Sequence, residues 1–328
     1  MEWQLQYRNG AEMLTRVERQ LNQDEYIFFV TGSYGDIFPN LCLMEAFHSL
    51  FNKRVNIIIN ERWKTCSSRF QYDFLTYHFI NNNFEAALRR NLPLAGRPYL
   101  REPGFIFPLL PTLHPWIAEC VLTQRMTDYE CKRLLLGLPY GTPLRMPDLN
   151  EERKTEIYNH LKNDLKMPSG QSAILAFSTN SNPTASIETQ KFIANFLNEN
   201  NISVFFNQAK TFDRSYVGEN YEQDDYRTIS VAADCPIEFI DYAGYYIGST
   251  HGLTAIASTL PASAAIAQTY FEDTKRLINN GVEISPDSLL MSNAMRHDLK
   301  NKVNLIPDTR DLAYLERQLT LFIAEGLT

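Results

Sequence analysis

Tyr26-Ile27-Phe28-Phe29-Val30 is an unbroken apolar run that stops on Thr31-Gly32-Ser33-Tyr34-Gly35-Asp36. A strand that is apolar at every position must be covered on both faces, as a central strand of a parallel sheet is. From Ile37 to about Phe51 the apolar residues Leu41, Met44, Ala46, Phe47 and Leu50 recur at helical spacing, and Arg54-Val55-Asn56-Ile57-Ile58-Ile59 reads as a second strand. Residues 26 to 59 therefore predict a βαβ unit, and continued alternation predicts an α/β, doubly wound sheet.

The alternation restarts in the second half of the chain. Ala173–Phe177 reads as a strand, followed by the turn Ser178 to Asn182 and a helix from about Pro183 to Asn198. Strands at Ile202–Phe206 and Thr228–Val231, a helix at Pro236–Ala243, a strand at Tyr245–Gly248 and a small-residue helix at Ala255–Leu260 complete the pattern. A further helix is expected over residues 9 to 22. Between about 75 and 150 the proline-rich stretch Pro103 to Pro115 breaks the periodicity, so loops and short helices are expected there. A helix near 126 to 136, the turn-rich segment Gly137 to Pro143 and a charged helix over 150 to 166 follow.

At 328 residues the chain exceeds what one core usually supports, and two domains of about 150 residues each are expected. The boundaries are 1–150, a Rossmann-like acceptor domain, and 151–310, a Rossmann-like donor domain. A C-terminal helix over 311–328 could pack back on the first domain. The two domains are expected to face each other across a cleft, with ligands beyond the carboxyl ends of the strands.

A net charge of −7 argues against a nucleic-acid partner, because neutralising phosphates needs a concentrated basic face. Arg89, Arg90, Arg97 and Arg101 form one modest basic cluster, read as a solvated helix end or an anionic contact. The five cysteines (Cys42, Cys66, Cys120, Cys131, Cys235) are odd in number and lack CxxC spacing, which fits buried thiols in a reducing compartment. The charged, amphipathic N-terminal stretch does not read as a signal peptide. No apolar run reaches the roughly 18 residues of a spanning helix. A cytoplasmic protein, peripheral at a membrane at most, is expected.

Two turns concentrate the chemistry. Thr31 to Asp36 lacks both the GxGxxG and the P-loop pattern, and a carboxylate there would crowd phosphate charge. Asp36 reads either as the N-cap of the helix that follows or as a general base taking a proton from an acceptor hydroxyl. Ser33 and Tyr34 of the same turn, with His114 of His114-Pro115-Trp116, are candidate acceptor contacts. The turn Ser249-Thr250-His251-Gly252-Leu253-Thr254 has no acidic residue and opens a helix, whose free amides and partial positive charge suit a diphosphate. Ser249, Thr250, Gly252 and Thr254 are candidate donor contacts there, with His251 as added charge. Ser178 and Asn180, and Lys210 as counter-charge, complete the candidate donor set. Metal-ligand spacings are not evident, and neither a metal nor a cofactor is implied.

Three places in the chain resemble the heptosyltransferase-like glycosyltransferases (glycosyltransferase family 9, GT-B fold). They are Gly35-Asp36 followed by Pro39, Leu136-Gly137-Leu138-Pro139, and the run Cys235 to Leu260, CPIEFIDYAGYYIGSTHGLTAIASTL. The resemblance implies an inverting, metal-independent transfer from a nucleotide-diphosphate sugar to a surface-glycan or glycolipid acceptor of lipopolysaccharide type. Asp36 matches the family's catalytic base, and Thr250 to Thr254 match the segment holding the donor diphosphate. The chain reads Thr250-His251-Gly252 where the family carries Asp-Ser/Thr-Gly. The same fold would also serve a non-catalytic nucleotide-sugar binder or a nucleotide-sugar epimerase or hydrolase.

Overall fold

The computed structural model describes residues 24–94, 101–114, 117, 128–177, 185–207, 227–232, 234–249, 252–259, 263–271, 277–279, 282–284 and 303–326. The helix expected over residues 9 to 22 lies outside them, as do Arg97, Cys120 and Pro183. The chain divides into two compact units, Met1–Pro147 and Asp148–Thr328.

The first unit is built on four parallel strands in the order β3-β2-β1-β4: β1 Tyr26–Val30, β2 Val55–Asn60, β3 Leu75–Ile80 and β4 Ile106–Pro108. In the register of β1, Phe28 lies opposite Ile57 on one side and Phe107 on the other. The helical stretch expected from Ile37 to Phe51 is two helices, α1 Tyr34–Cys42 and α2 Met44–Phe51, with the break at Leu43. On one face of the sheet the Phe28 ring meets Phe47 of α2 edge-on at 5.1 Å. On the other, Ile27 and Phe29 pack with Phe84, Leu88 and Leu92, which recur every fourth residue along α3 Asn82–Leu94. Both faces are thus covered by helices, which is why β1 is apolar throughout.

The region from 75 to 150 is more regular than loops and short helices: it supplies β3, β4 and the long α3. Two features disguise it. β3 is an edge strand with mixed exposure, and β4 has only three residues and ends on Pro108, a residue an edge strand tolerates because its outer side needs no N–H donor. The expected helix near 126–136 is α4, Asp128–Leu136. It is buried nearly all round, with Leu134 as its exposed residue at 41%.

The second unit opens with α5 Glu151–Asn159. Its six-stranded sheet runs β12-β9-β8-β5-β6-β7, all parallel, from β5 Ser172–Ala176, β6 Ser203–Asn207, β7 Arg227–Ile229, β8 Gly244–Gly248, β9 Ala265–Phe271 and β12 Val303–Asp308. A small antiparallel pair, β10 Leu277–Asn279 and β11 Val282–Ile284, forms a separate sheet. Taken in chain order the six strands follow the 3-2-1-4-5-6 arrangement of a dinucleotide-type sheet, whose order reverses between β5 and β8. One face is covered by α6 Ile187–Glu199 and by the C-terminal α9 Leu312–Gly326, which brings Leu315, Leu319 and Phe322 against Ile193, Leu197, Ile247 and Ile306. The C-terminal helix is therefore a core element of the second unit. Two further helices are α7 Pro236–Ala243 and α8 Gly252–Thr259, the latter beginning three residues earlier than the sequence suggests. Cys42, Cys66, Cys131 and Cys235 are buried.

Candidate functional site

In the first unit the strand order reverses between β1 and β4, and the turn after β1 folds directly into α1. Ser33, in extended backbone (φ −83°, ψ 176°), is the N-cap, and Asp36 is the third helical residue. The Asp36 carboxylate bends back over the helix start, where its Oδ2 accepts from the Ser33 N–H at 2.8 Å and from Ser33 Oγ at 2.9 Å. This is the acidic half of a capping box, so the N-cap is Ser33 and not Asp36. Gly32 permits the approach. Its φ is +120°, and a Cβ there would lie 2.5 Å from Asp36 Oδ2. The other oxygen, Oδ1, faces Lys132 Nζ of α4 at 3.7 Å; the Lys132 side chain is 0% exposed, that of Asp36 26%.

Charged and aromatic side chains brace the turn from neighbouring elements. Thr31 Oγ1 donates to the buried Glu85 in the first turn of α3. Glu85 Oε2 also accepts from Asn60 Nδ2 at 2.6 Å and lies 3.6 Å from Arg62 Nη2, which in turn donates to the Gly32 carbonyl at 3.3 Å. The Tyr34 ring stacks on Trp63 with centroids 6.0 Å apart, and the Arg62 guanidinium lies over the same indole. Glu85, Arg62, Trp63 and Lys132 carry no motif and were not among the sequence-predicted residues. The one signal was a Lys132-Arg133 pair set between Cys131 and Leu134-Leu135-Leu136, charge in a stretch otherwise fit for burial.

His114 behaves differently from the acceptor contact expected of it. It is 1% exposed, its Nε2 donates to the Pro108 carbonyl at 2.9 Å, and its ring packs on Phe107. Burial holds its pKa below the ordinary histidine value. The residue ties the segment after β4 to the end of that strand. Of the expected basic cluster, Arg97 lies outside the described residues. Arg89 and Arg90 lie on the exposed face of α3, while Arg101 donates to the Leu135 carbonyl at 3.3 Å and covers the Phe51 ring.

In the second unit the turns after β5 and β8 lie where the strand order reverses. Ser249 is 1% exposed; its N–H donates to the Ala176 carbonyl at 3.0 Å and its hydroxyl lies 3.2 Å from Thr269 Oγ1. Thr254 Oγ1 donates to the Ser249 carbonyl at 2.7 Å and sits 2.9 Å from the Tyr246 hydroxyl. These hydrogen bonds link the residue after β8 to α8 and β9. At Gly248 a Cβ would come 2.6 Å from the Tyr246 hydroxyl. Gly252 opens α8, whose first turn has no acidic residue. At α6 the situation is opposite: Asp308, at the end of β12, accepts from the Ser186 N–H at 3.3 Å, from Ser186 Oγ at 3.0 Å and from Thr189 Oγ1. That helix start already holds a carboxylate, the charge it favours. Ser178, Asn180, Lys210, Thr250 and His251 lie outside the described residues.

No protein-family model and no curated protein sequence matches the chain. Solved structures do. The ADP-heptose LPS heptosyltransferase II of Escherichia coli superposes over 93% of this chain and 100% of its own, with a TM-score of 0.56 at 13% identity. A glycosyltransferase family 9 protein of Veillonella parvula covers 91% of this chain and 90% of its own, with a TM-score of 0.53 at 8% identity. The fold is that of the heptosyltransferase-like glycosyltransferases. On this GT-B fold, with its two parallel α/β sheets, Asp36 follows the first strand of one sheet and Gly252 a central strand of the other. Among the described residues no group of three or more His, Cys, Asp or Glu side chains could hold a metal ion, and no helix is long and apolar enough to cross a membrane.

Proposed function

We propose that the protein is an inverting, metal-independent glycosyltransferase that moves a sugar from a nucleotide-diphosphate donor to a hydroxyl of a surface glycan or glycolipid. The observation that carries this reading is Asp36, a part-exposed carboxylate at the carboxyl end of the first strand, with one oxygen held by Ser33 and the other beside a buried ammonium. In the proposed reaction Asp36 accepts the proton of the acceptor hydroxyl as that oxygen attacks the anomeric carbon. The bond from that carbon to the diphosphate breaks with its electron pair leaving on the phosphate oxygen. The amides at the start of α8 stabilise the departing charge, the larger expected contribution of the two. Asp308 at α6 supports assigning the diphosphate to α8, because the start of α6 is already occupied by an anion.

ADP-heptose, named as the donor of the Escherichia coli relative in fold, is the first donor to try. A lipopolysaccharide-type acceptor and a cytoplasmic reaction at the inner face of a membrane belong to the same proposal. A thermal-shift panel of ADP, UDP, GDP and dTDP with their sugar conjugates identifies the donor, because a ligand that binds only the folded chain raises its melting temperature. With that donor, Asp36→Asn is expected to lower transfer by about 10² to 10⁴-fold without changing donor binding. Near-normal transfer by Asp36→Asn would remove the base. Donor binding with no transfer to any acceptor in wild-type protein would favour a non-catalytic binder.

A further inference from the structure

We infer that Arg62 is a positioning residue for Asp36: it fixes the orientation of the Gly32–Ser33 peptide, whose N–H holds the carboxylate. The inference rests on the reading of Asp36 as the base.

Gly32 has a φ of +120° and, lacking a Cβ, reaches more of backbone space than a residue with a side chain. The peptide that follows it is therefore the link of the turn best able to turn over. A turned-over peptide would aim its carbonyl oxygen, not its N–H, at Asp36. Two contacts oppose this. The Ser33 N–H donates to Asp36 Oδ2 at 2.8 Å, and the Gly32 carbonyl of the same peptide accepts from Arg62 Nη2 at 3.3 Å. Carbonyl and N–H point in opposite directions across a planar trans peptide, so a donor fixed on one end sets the direction of the other. A hydrogen bond at the carbonyl also polarises the amide and strengthens its N–H as a donor.

Arg62 is itself held from two sides. Its guanidinium lies over the Trp63 ring, 5.2 Å from the centroid, and its Nη2 is 3.6 Å from Glu85 Oε2. The buried Glu85 also accepts from Thr31 Oγ1 and Asn60 Nδ2. One carboxylate of α3 thus anchors both the residue before Gly32 and the arginine on the Gly32 carbonyl. Arg62 Nε is buried with no hydrogen-bond partner among the described residues. A buried donor in that state is costly, so the arginine is not placed here by the best satisfaction of its own groups. Its hydrogen bond to backbone outside β2 and the turn that follows goes to the peptide that holds Asp36.

The test reads that one peptide. The chain has two Gly-Ser peptides, Gly32-Ser33 and Gly248-Ser249, so the full chain labelled with ¹³C-carbonyl glycine and ¹⁵N serine gives two carbonyl–amide cross-peaks. The one absent from Ser33→Ala belongs to the turn. In Arg62→Met the Gly32 carbonyl carbon and the Ser33 amide proton are both expected to move to higher field, as the hydrogen bond at each is weakened or lost, while the Gly248-Ser249 cross-peak stays in place. Arg62→Met leaves Glu85 buried without its cation; if that variant does not fold, Arg62→Met/Glu85→Gln removes both charges and reads the same peptide. A Ser33 amide proton unmoved in the folded variant overturns the inference. With the donor found by the thermal-shift panel, the same variant is expected to lower kcat by about 10- to 10²-fold at unchanged donor KM, and a full kcat overturns the inference as well. Full transfer by Asp36→Asn ends the role of the base, whereas an inactive Asp36→Asn with an unmoved amide proton in the Arg62 variant ends only that of Arg62.

Discussion

At Asp36 helix capping and the proposed acid–base chemistry fall on one side chain. The capping box uses Oδ2 and the Ser33 N–H, and Oδ1 is left toward Lys132. From the local sequence alone, cap and base looked like competing readings of one residue. In the folded chain the cap takes Oδ2 and leaves Oδ1, so the two readings are compatible and the cap orients the carboxylate proposed as the base. Gly32 is the residue on which this depends, since its φ of +120° suits glycine and its missing Cβ is the space the carboxylate occupies. Gly32→Ala is expected to cost about 1–3 kcal/mol of stability and to turn the Asp36 side chain off Ser33. Thermal unfolding followed by circular dichroism measures the first effect, and the loss of transfer the second. A variant as stable and as active as wild type would show that the turn relaxes around the methyl group.

Single elements were legible in proportion to how much of their environment is local. β1, β2, β5 and β8 are buried along nearly their whole length, and their sequences are mostly apolar, because each is flanked by strands and covered by helices. α7 was delimited in the sequence by Pro236 and Ala243, the bounds it has in the structure, because a first-turn proline and a following glycine mark helix ends. β3 and β4 escaped notice, since an edge strand with a solvated side and a three-residue strand closed by proline lack the period of a central strand. For α9 the period was visible but the partner was not. Leu319 is fully buried in the second unit's core with Ile247 and Ile306, so Leu319→Ala is expected to lower stability by about 2–5 kcal/mol through lost burial and a residual cavity. Urea unfolding measures it, and a cost below about 1 kcal/mol would mean that the helix docks loosely on the sheet.

At the scale of the whole molecule, stability should depend on pH through histidines that folding buries. His78, bonded to Asn56 at 2.9 Å, and His114 both have pKa values held below the ordinary 6.5 by burial. The unfolded chain then binds protons that the folded chain refuses, so the stabilisation is full above about 6.5 and falls as the pH drops below it. The melting temperature is expected to decline through that window. In His78→Gln/His114→Gln the part of the decline due to these groups should vanish; an unchanged slope would assign it to other residues.

What the sequence determined by itself was the alternation of strands and helices, the two parallel sheets and the positions of the glycine turns. These follow from periodicity, glycine and proline, all of which act over a few residues. The tertiary structure decided which side chains meet those turns. Lys132 reaches Asp36, Glu85 reaches Thr31 and Asp308 reaches Ser186, each across a long stretch of chain, because parallel strands bring together the ends of elements remote in sequence. It also decided that His114 and Thr254, polar residues beside turns, spend their hydrogen bonds inside the protein. A buried polar group must find a partner, and which partner it finds depends on packing that no local pattern records.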